Sequence, residues 1–262
     1  MRGRGEASQP RVRKGPRSTD DIRSGILRIS STICSPLYQE IQKDRYGIFQ
    51  RWLCCSAKNG ETITKEGYEL GLGTMHFGHF VLFKELRETM LNTAKEGEDV
   101  RVIMTSSAAS QVSFAAHFDD SLFDEPPGDI HGEKTNVRSQ YPRSKLANVL
   151  FARRLQQLES SITTCSCHVG AVDTSIWAAG GPFLQSIIDY YSRSTMRTIE
   201  EGRRTLLKCA LSKSLDILKS AAYLDGMGVV VADEFLHPPS KNDTLAQRLW
   251  EVSDRIARGY VL

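Results

Sequence analysis

Two predicted strands joined by a predicted helix constrain the fold of this chain more than any other feature of its sequence. Residues 100–107, VRVIMTSS, are an apolar run that ends in two serines, a pattern typical of a buried strand in a parallel sheet. Large apolar side chains recur on one side of residues 146–158, from Leu146 to Leu158, which predicts a helix. Residues 162–167 predict a second strand. This order is typical of an α/β fold, with the serines at the sheet edge where such folds bind ligands.

The segment YPRSK at residues 141–145 places a phenol and an amine four residues apart, which is about one helical turn. Pro142 favours the first position of a helix and disfavours helical geometry in the residue before it, so we expect Tyr141 at the helix mouth. The Lys145 ammonium and the positive end of the helix would both favour a phenolate. Such a tyrosine could exchange protons with a substrate. The alternative, an ordinary surface helix that begins here, stays open at this point.

Together with four further segments, this pattern resembles the short-chain dehydrogenase/reductase family, and most closely its retinol-dehydrogenase-like and WW-domain-oxidoreductase-like branch. The matching segments are TKEGYE (64–69), TMHFGHF (74–80), YPRSKLANVL (141–150), TIEEG (198–202) and LAQRLWE (245–251). The resemblance implies a Rossmann-like, doubly wound parallel sheet over residues 61–262. It also implies an enzyme that uses NAD or NADP to interconvert an alcohol and a carbonyl compound.

The resemblance implies a role for particular side chains. Tyr141 would be the general acid/base, Lys145 would lower the tyrosine pKa and bind the nicotinamide ribose, and Ser107 would orient the substrate oxygen. The turn that packs on the nicotinamide would contain Gly170, Val172 and Thr174. The helix expected after Pro182 carries an apolar stripe in the region that covers the substrate pocket in the family, which suits a small lipophilic alcohol or carbonyl. An ordinary core helix is the alternative.

The sequence also departs from the family pattern. Met75 stands where the family has an asparagine that holds a water in its proton relay, and a thioether accepts hydrogen bonds only weakly. Val169 stands where the family has a proline. The first 60 residues contain no glycine-rich turn after an apolar strand, so the N-terminal, cofactor-binding part is expected to be truncated or replaced. Two origins fit: a misjoined transcript, or a diverged, catalytically inactive relative that serves as a binding or regulatory partner.

The rest of the chain supports a simple domain plan. We expect a basic flexible tail over residues 1–20, an unassigned segment over 21–60 and the dehydrogenase-like part over 61–262. The tail could contact a polyanion or weakly direct the chain to an organelle, but a solvated tail in a cytoplasmic protein is the simpler expectation. Residues 114–140 are acidic and rich in turn formers, and we expect them to form an exposed excursion.

Partners and metals are constrained only weakly. The six cysteines are dispersed along the chain, which suits a reducing compartment, and Cys165, Cys167 and His168 lack a second ligand pair at zinc spacing. We therefore expect no metal. No run of 18 apolar residues occurs, so we expect no transmembrane segment, and the net charge of +3 gives no reason to expect nucleic acid. A homodimer, or pairing with full-length relatives, is the expected protein association.

Overall fold

The computed structural model describes residues 63–64, 66–112, 118, 137–173, 196–214, 217 and 221–260. These residues belong to the second of the two units into which the chain divides, Gln50–Leu262. Several predictions lie outside the described residues: the tail over 1–20, the segment over 21–60, most of the acidic excursion, Thr174, and the apolar helix after Pro182.

One sheet forms the centre of the described part of the chain. Its strands are β1 (Arg101–Thr105), β2 (Thr163–Cys167), β3 (Tyr223–Leu224) and β4 (Val230–Val231). They lie in the order β1-β2-β3-β4, with the first three parallel and β4 antiparallel to β3. Thr105 pairs with Cys167 in register, so the carboxyl ends of β1 and β2 lie side by side. The strands predicted within 100–107 and 162–167 are therefore confirmed.

Five α-helices surround this sheet in the described part of the chain. They are α1 (Leu70–Leu72), α2 (Gly78–Lys95), α3 (Val137–Leu158), α4 (Ile199–Leu211) and α5 (Asp243–Ala257), with a π-helical segment, Gly73–Phe77, that joins α1 to α2. Glu69 caps α1 by accepting hydrogen bonds from the backbone N–H groups of Gly71 and Leu72. The matched segments at 198–202 and 245–251 fall at the start of α4 and within α5, as the resemblance implies.

Strand β2 is buried on both of its faces, which is the signature of a doubly wound sheet. On one face Cys165 and Cys167 form a buried cluster with Cys209 of α4. On the other face the Thr164 hydroxyl donates to the Ala152 carbonyl of α3 at 2.7 Å. Helices thus cover both sides of a sheet dominated by parallel strands, which confirms the predicted Rossmann-like α/β class.

An aromatic cluster packs α2, α3 and α5 together. Phe151 of α3 stacks on Trp250 of α5, with ring centroids 5.5 Å apart and an angle of 20° between the planes. Phe80 of α2 meets the same tryptophan edge-on at 4.9 Å. Such contacts bury large apolar area and fix the helices against one another. The predicted apolar side of α3 is correct from Leu146 to Leu155, whereas Leu158 is 43% exposed at the helix end.

The beginning of α3 corrects the prediction. The helix starts at Val137, so Pro142 lies inside it and Tyr141 is not at its mouth. The last residues of the predicted excursion, 137–140, are therefore helical. Pro142 has no N–H to donate to the carbonyl four residues earlier, which costs the helix a hydrogen bond. Close packing explains why the turn persists: Gln140 is 3% exposed, and its carbonyl is 3.0 Å from where a Cβ would lie on Gly71.

Candidate active site

Lys145 is the centre of the candidate site. Its side chain is 1% exposed, and its Nζ donates to the carbonyl of Thr105, the last residue of β1, at 3.3 Å. Burial lowers the pKa of Lys145 to about 8, and the neighbouring Cys167 opposes that shift. The ammonium form of Lys145 therefore still prevails at pH 7, although this pH is only about one unit below the lowered pKa. Helix α3 thus holds a cation beneath the sheet edge at which α/β folds bind ligands.

Tyr141 lies one turn before Lys145 on the same helix and is half-buried. The Lys145 Nζ is 5.6 Å from the centroid of the Tyr141 ring, which is within range of a cation–π interaction. The spacing of four residues therefore places the ammonium beside the phenol ring, as predicted. The helix start does not assist it, because Val137 and not Pro142 begins the helix.

The two serines at the end of β1 occupy different environments. Ser106 is completely buried, and its hydroxyl donates to the Lys145 carbonyl at 2.8 Å. Ser107 is half-buried, and its Oγ accepts a hydrogen bond from the Ala109 N–H at 3.2 Å. In the described part of the chain, the Ser107 hydroxyl proton has no acceptor. It is therefore the serine that can donate a hydrogen bond to a ligand.

Tyr223 is a site residue that the sequence did not reveal. It lies in β3, is 3% exposed, and its hydroxyl donates to the Ser107 carbonyl at 3.3 Å. Burial raises the pKa of Tyr223 above its ordinary value, and the nearby Tyr141 phenol adds to the increase. Tyr223 therefore stays protonated and acts as a fixed donor. No local pattern indicates it, since 116 residues separate the two partners.

The predicted nicotinamide turn follows β2. Gly170 has a φ of +84°, and a Cβ there would lie 2.6 Å from the Arg197 side chain, so the position favours glycine strongly. Val172 pairs with Arg197 in an isolated parallel bridge, and the Asp173 N–H donates to the Arg197 carbonyl at 2.9 Å. The turn is thereby anchored to the residue that precedes the cap of α4. Thr174, the last predicted member, lies outside the described residues.

His168 ties this turn to the next strand. Its imidazole lies between the backbone N–H of Gly170, 3.0 Å from Nδ1, and that of Gly226, 2.9 Å from Nε2. Burial lowers the pKa of His168, and Arg197 lowers it further against the opposing effect of Asp225. His168 therefore joins the loops after β2 and β3. Val169, which stands in place of the family proline, is 7% exposed.

Met75 lies in the π-helical segment, close to the site. It is 1% exposed, and its sulfur is 3.9 Å from the Ser144 hydroxyl. A π-helical turn inside an α-helix is rare and frequently marks a functional position. The thioether thus fills the place where the resemblance leads us to expect an asparagine.

Three cysteines that are dispersed in sequence come together in the fold. Cys165, Cys167 and Cys209 are free, buried thiols in one cluster. Among the described residues, no group of three or more histidine, cysteine or acidic side chains is arranged to hold a metal ion. In the same part of the chain, every helix is too short or too polar to cross a membrane.

The chain is similar to several curated proteins. It is 33% identical to retinol dehydrogenase 11 of Homo sapiens over 195 residues, and this alignment covers 72% of this chain and 54% of that protein. It is 32% identical over 197 residues to dehydrogenase/reductase SDR family member 13 of Bos taurus, covering 74% and 48%. Retinol dehydrogenase 14 of Homo sapiens is 28% identical over 238 residues, covering 87% and 63%.

Two further comparisons are weaker. No family model matches the chain. A solved NADPH-bound carbonyl reductase from chicken fatty liver is 19% identical, covers 81% of this chain and 73% of that one, and has a TM-score of 0.42, a likeness too loose to bear on function. The chain spans about half the length of the curated relatives it matches: 54% of retinol dehydrogenase 11 and 48% of dehydrogenase/reductase SDR family member 13. With its matched segments on the predicted elements, the chain belongs to the short-chain dehydrogenase/reductase family, in the retinol-dehydrogenase-like branch.

Proposed function

We propose that this chain is an NAD(P)-dependent oxidoreductase that interconverts an alcohol and its carbonyl compound, with Tyr141 as the acid/base. The observation that carries the proposal is the buried Lys145 ammonium, which is held by the Thr105 carbonyl with its Nζ 5.6 Å from the Tyr141 ring centroid. A cation beside a phenol favours the phenolate, and thus makes the phenol a stronger acid. The names of the relatives, retinol dehydrogenases and a dehydrogenase/reductase, support this class of reaction.

The proposed proton transfer uses the Tyr141 hydroxyl. In the reductive direction the hydroxyl gives its proton to the carbonyl oxygen while the carbonyl carbon receives a hydride. In the oxidative direction the phenolate takes the proton from the alcohol. The Ser107 hydroxyl, whose Oγ is fixed by the Ala109 N–H, donates a hydrogen bond to the same substrate oxygen. General acid–base catalysis of this kind contributes a rate factor of about 10²–10⁴.

The described residues suit the nicotinamide end of a cofactor. Lys145 offers a buried donor to ribose hydroxyls, and the turn of Gly170 and Val172 offers backbone groups at the same sheet edge. When bound, a nicotinamide would supply or accept the hydride. NAD and NADP both fit this part of the proposal. Thr174, which lies outside the described residues, completes the proposed cofactor contacts.

The proposed substrate is a small lipophilic alcohol or carbonyl. The support comes from the apolar stripe predicted after Pro182, which lies outside the described residues, and from the relatives named for retinol.

A second function is favoured by one specific observation. Met75 occupies the place of the relay asparagine and is buried against Ser144, so a relay through that side chain is closed. On this alternative the chain is a catalytically inactive relative that binds or regulates a partner, either a second copy or a full-length family member.

Titration of the purified chain with NADH and NADPH, followed by nicotinamide fluorescence, separates the two functions. Micromolar binding, weakened at least tenfold in Lys145→Met, supports the oxidoreductase. Lys84→Met is the matched control, because the Lys84 Nζ pairs with the Asp254 carboxylate of α5 at 2.7 Å, whereas the Lys145 Nζ bonds to the Thr105 carbonyl. Absence of binding at millimolar cofactor would leave the inactive relative as the better description.

Tyr141→Phe tests the acid/base directly. We expect it to lower turnover of a lipophilic carbonyl by a factor of about 10² or more, because the proton donor is lost. The affinity for reduced nicotinamide should change less than about threefold, since Lys145 and the Gly170 turn remain. Turnover that survives in Tyr141→Phe would remove this residue from the mechanism.

A further inference from the structure

The imidazole of His168 lies between two backbone N–H groups that belong to different turns. The Gly170 N–H, in the turn after β2, points at Nδ1 over 3.0 Å, and the Gly226 N–H, in the turn after β3, points at Nε2 over 2.9 Å. The backbone of His168 is itself held in the sheet, because its N–H donates to the Leu224 carbonyl at 3.0 Å. Both ring nitrogens thus face donors, so this imidazole is placed as an acceptor.

The two turns meet closely at this imidazole. A Cβ on Gly226 would lie 2.8 Å from the His168 Cε1 and 3.1 Å from the Gly170 Cα. Gly226 is buried, and a buried N–H group that lacks an acceptor is destabilising. The acceptor nitrogens of His168 are therefore part of what holds the turn after β2, the proposed nicotinamide turn, against the turn after β3.

The number of protons on the imidazole decides whether it can accept at all. A neutral imidazole has one N–H and one acceptor nitrogen, so it accepts from Gly170 in one tautomer and from Gly226 in the other. An imidazolium has an N–H on both nitrogens and accepts from neither group. Protonation of His168 would therefore leave two donors opposed at each nitrogen, across the 3.0 and 2.9 Å separations.

Three titratable side chains lie near the imidazole. Burial of His168 is the largest influence on its protonation and lowers its pKa below the ordinary 6.5. The Asp225 carboxylate opposes this effect, and the Arg197 guanidinium adds to it. The Tyr223 ring, whose centroid is 6.3 Å from that of the imidazole, carries no charge at neutral pH. The folded chain therefore holds His168 in its neutral form at neutral pH.

We propose that neutral His168 is a positioning residue for the nicotinamide turn and that protonation of its imidazole releases this turn. The neutral ring supplies the acceptor for the Gly170 N–H and, in its other tautomer, for the Gly226 N–H. The imidazolium supplies neither, so the affinity for nicotinamide should fall as the pH falls through the titration of His168. This inference rests on the proposed function only in taking the turn of Gly170 as a contact of the cofactor.

Amide NMR tests the release without turnover and without cofactor. The dipeptides Val169–Gly170 and Asp225–Gly226 are the only Val–Gly and Asp–Gly pairs in the sequence, so carbonyl-labelled valine and aspartate with nitrogen-labelled glycine isolate the two amide signals. Between about pH 7.5 and about pH 5 both signals should shift with the ring of His168, which is identified among the six histidines by its loss in His168→Asn. The midpoint should lie below 6.5. Amide signals that do not follow this ring, or a midpoint of 6.5 or higher, would overturn the proposal.

Two uncharged amides separate the two contacts of the ring. In His168→Asn the Oδ1 lies near the place of Nδ1 and can accept from Gly170, whereas in His168→Gln the Oε1 lies near the place of Nε2 and can accept from Gly226. In calorimetric titration with NAD, the wild type should bind about threefold or more weakly at pH 5 than at pH 7.5. His168→Asn should keep the affinity of the wild type at pH 7.5, within about twofold, at both pH values, because its acceptor does not titrate. His168→Gln should bind more weakly than His168→Asn at both.

His79→Gln is the control for the other histidines, because the His79 Nδ1 lies 3.0 Å from the Met75 carbonyl and not in either turn. It should keep the pH dependence of the wild type. A pH dependence that persists in His168→Asn, or equal affinities of the two His168 variants, would refute the positioning role. If NAD fails to bind the wild type at any pH, the proposed function fails, and the amide signals of Gly170 and Gly226 alone decide whether His168 holds the turn.

Discussion

Lys145 makes the native state less stable than its apolar equivalent would be. Its pKa is about 8 in the folded chain and 10.5 when unperturbed, so the unfolded chain binds the proton more tightly. Between pH 8 and pH 10.5 the unfolded state therefore carries more protons, and the free energy of unfolding rises with pH in that window. The window spans roughly 2.5 pH units, and each unit corresponds to about 1.4 kcal/mol, so burial of the Lys145 ammonium lowers the free energy of unfolding at pH 7 by about 3 kcal/mol. Lys145→Met should raise the free energy of unfolding at pH 7 by about 1–3 kcal/mol in urea denaturation, and by much less at pH 10.

Lys84→Met is the control for this pH dependence. The Lys84 side chain is 29% exposed and pairs with Asp254, so its removal should change stability by at most about 1 kcal/mol, and in the unfavourable direction. A loss of stability in Lys145→Met at pH 7 would show that the buried ammonium is not the destabilising group.

At the scale of elements, the sequence predicts what depends on local pattern and misses what depends on contacts across the fold. The strand within 100–107 is correct because an apolar run that ends in polar residues identifies a buried strand without reference to its neighbours. The strand within 162–167 is also correct. The start of α3 is wrong because packing of Gln140 against Gly71, 69 residues away, holds a turn that Pro142 disfavours. The Tyr223 contact with Ser107 was missed for the same reason, as it spans two strands that only the sheet brings together.

A prediction at helix α4 links the stability of this helix to the turn that is proposed to bind the cofactor. The Thr198 hydroxyl accepts from the Glu201 N–H at 3.2 Å, and the Glu201 carboxylate accepts from the Thr198 N–H at 2.8 Å, which completes a capping box. Thr198→Ala should lower the free energy of unfolding by about 1 kcal/mol. Because Arg197, the preceding residue, holds the turn of Gly170 and Val172, the variant should also weaken nicotinamide binding. Urea denaturation and fluorescence titration measure the two effects.

Thr198→Ser keeps the hydroxyl and is the matched control for the cap. It should lie within about 0.5 kcal/mol of the wild type and bind nicotinamide equally well. If Thr198→Ala lowers stability but leaves nicotinamide binding unchanged, then the cap and the turn are independent.

For the molecule as a whole, a large part of the response to acid should come from the fully buried His76 imidazole in the aromatic core that joins α2, α3 and α5, and His168, whose pKa is also lowered by burial, should add to it. The pKa of His76 is about 3 when folded and 6.5 when unperturbed, so as the pH falls below 6.5 only the unfolded state takes up this proton. Stability is therefore lost as the pH falls from 6.5 towards 3, and about 2–3 kcal/mol should be gone at pH 4.5. The paired carboxylates, such as Asp254, have lowered pKa values and titrate below their ordinary 3.8, so they add to the loss only at lower pH. His76→Gln should flatten the dependence between pH 6.5 and 4.5 in urea denaturation followed by circular dichroism. His79→Gln removes a neighbour that contributes less than burial to the lowered pKa of His76, so it should keep most of the wild-type slope. An equal slope in all three proteins would mean that His76 is already protonated in the native state.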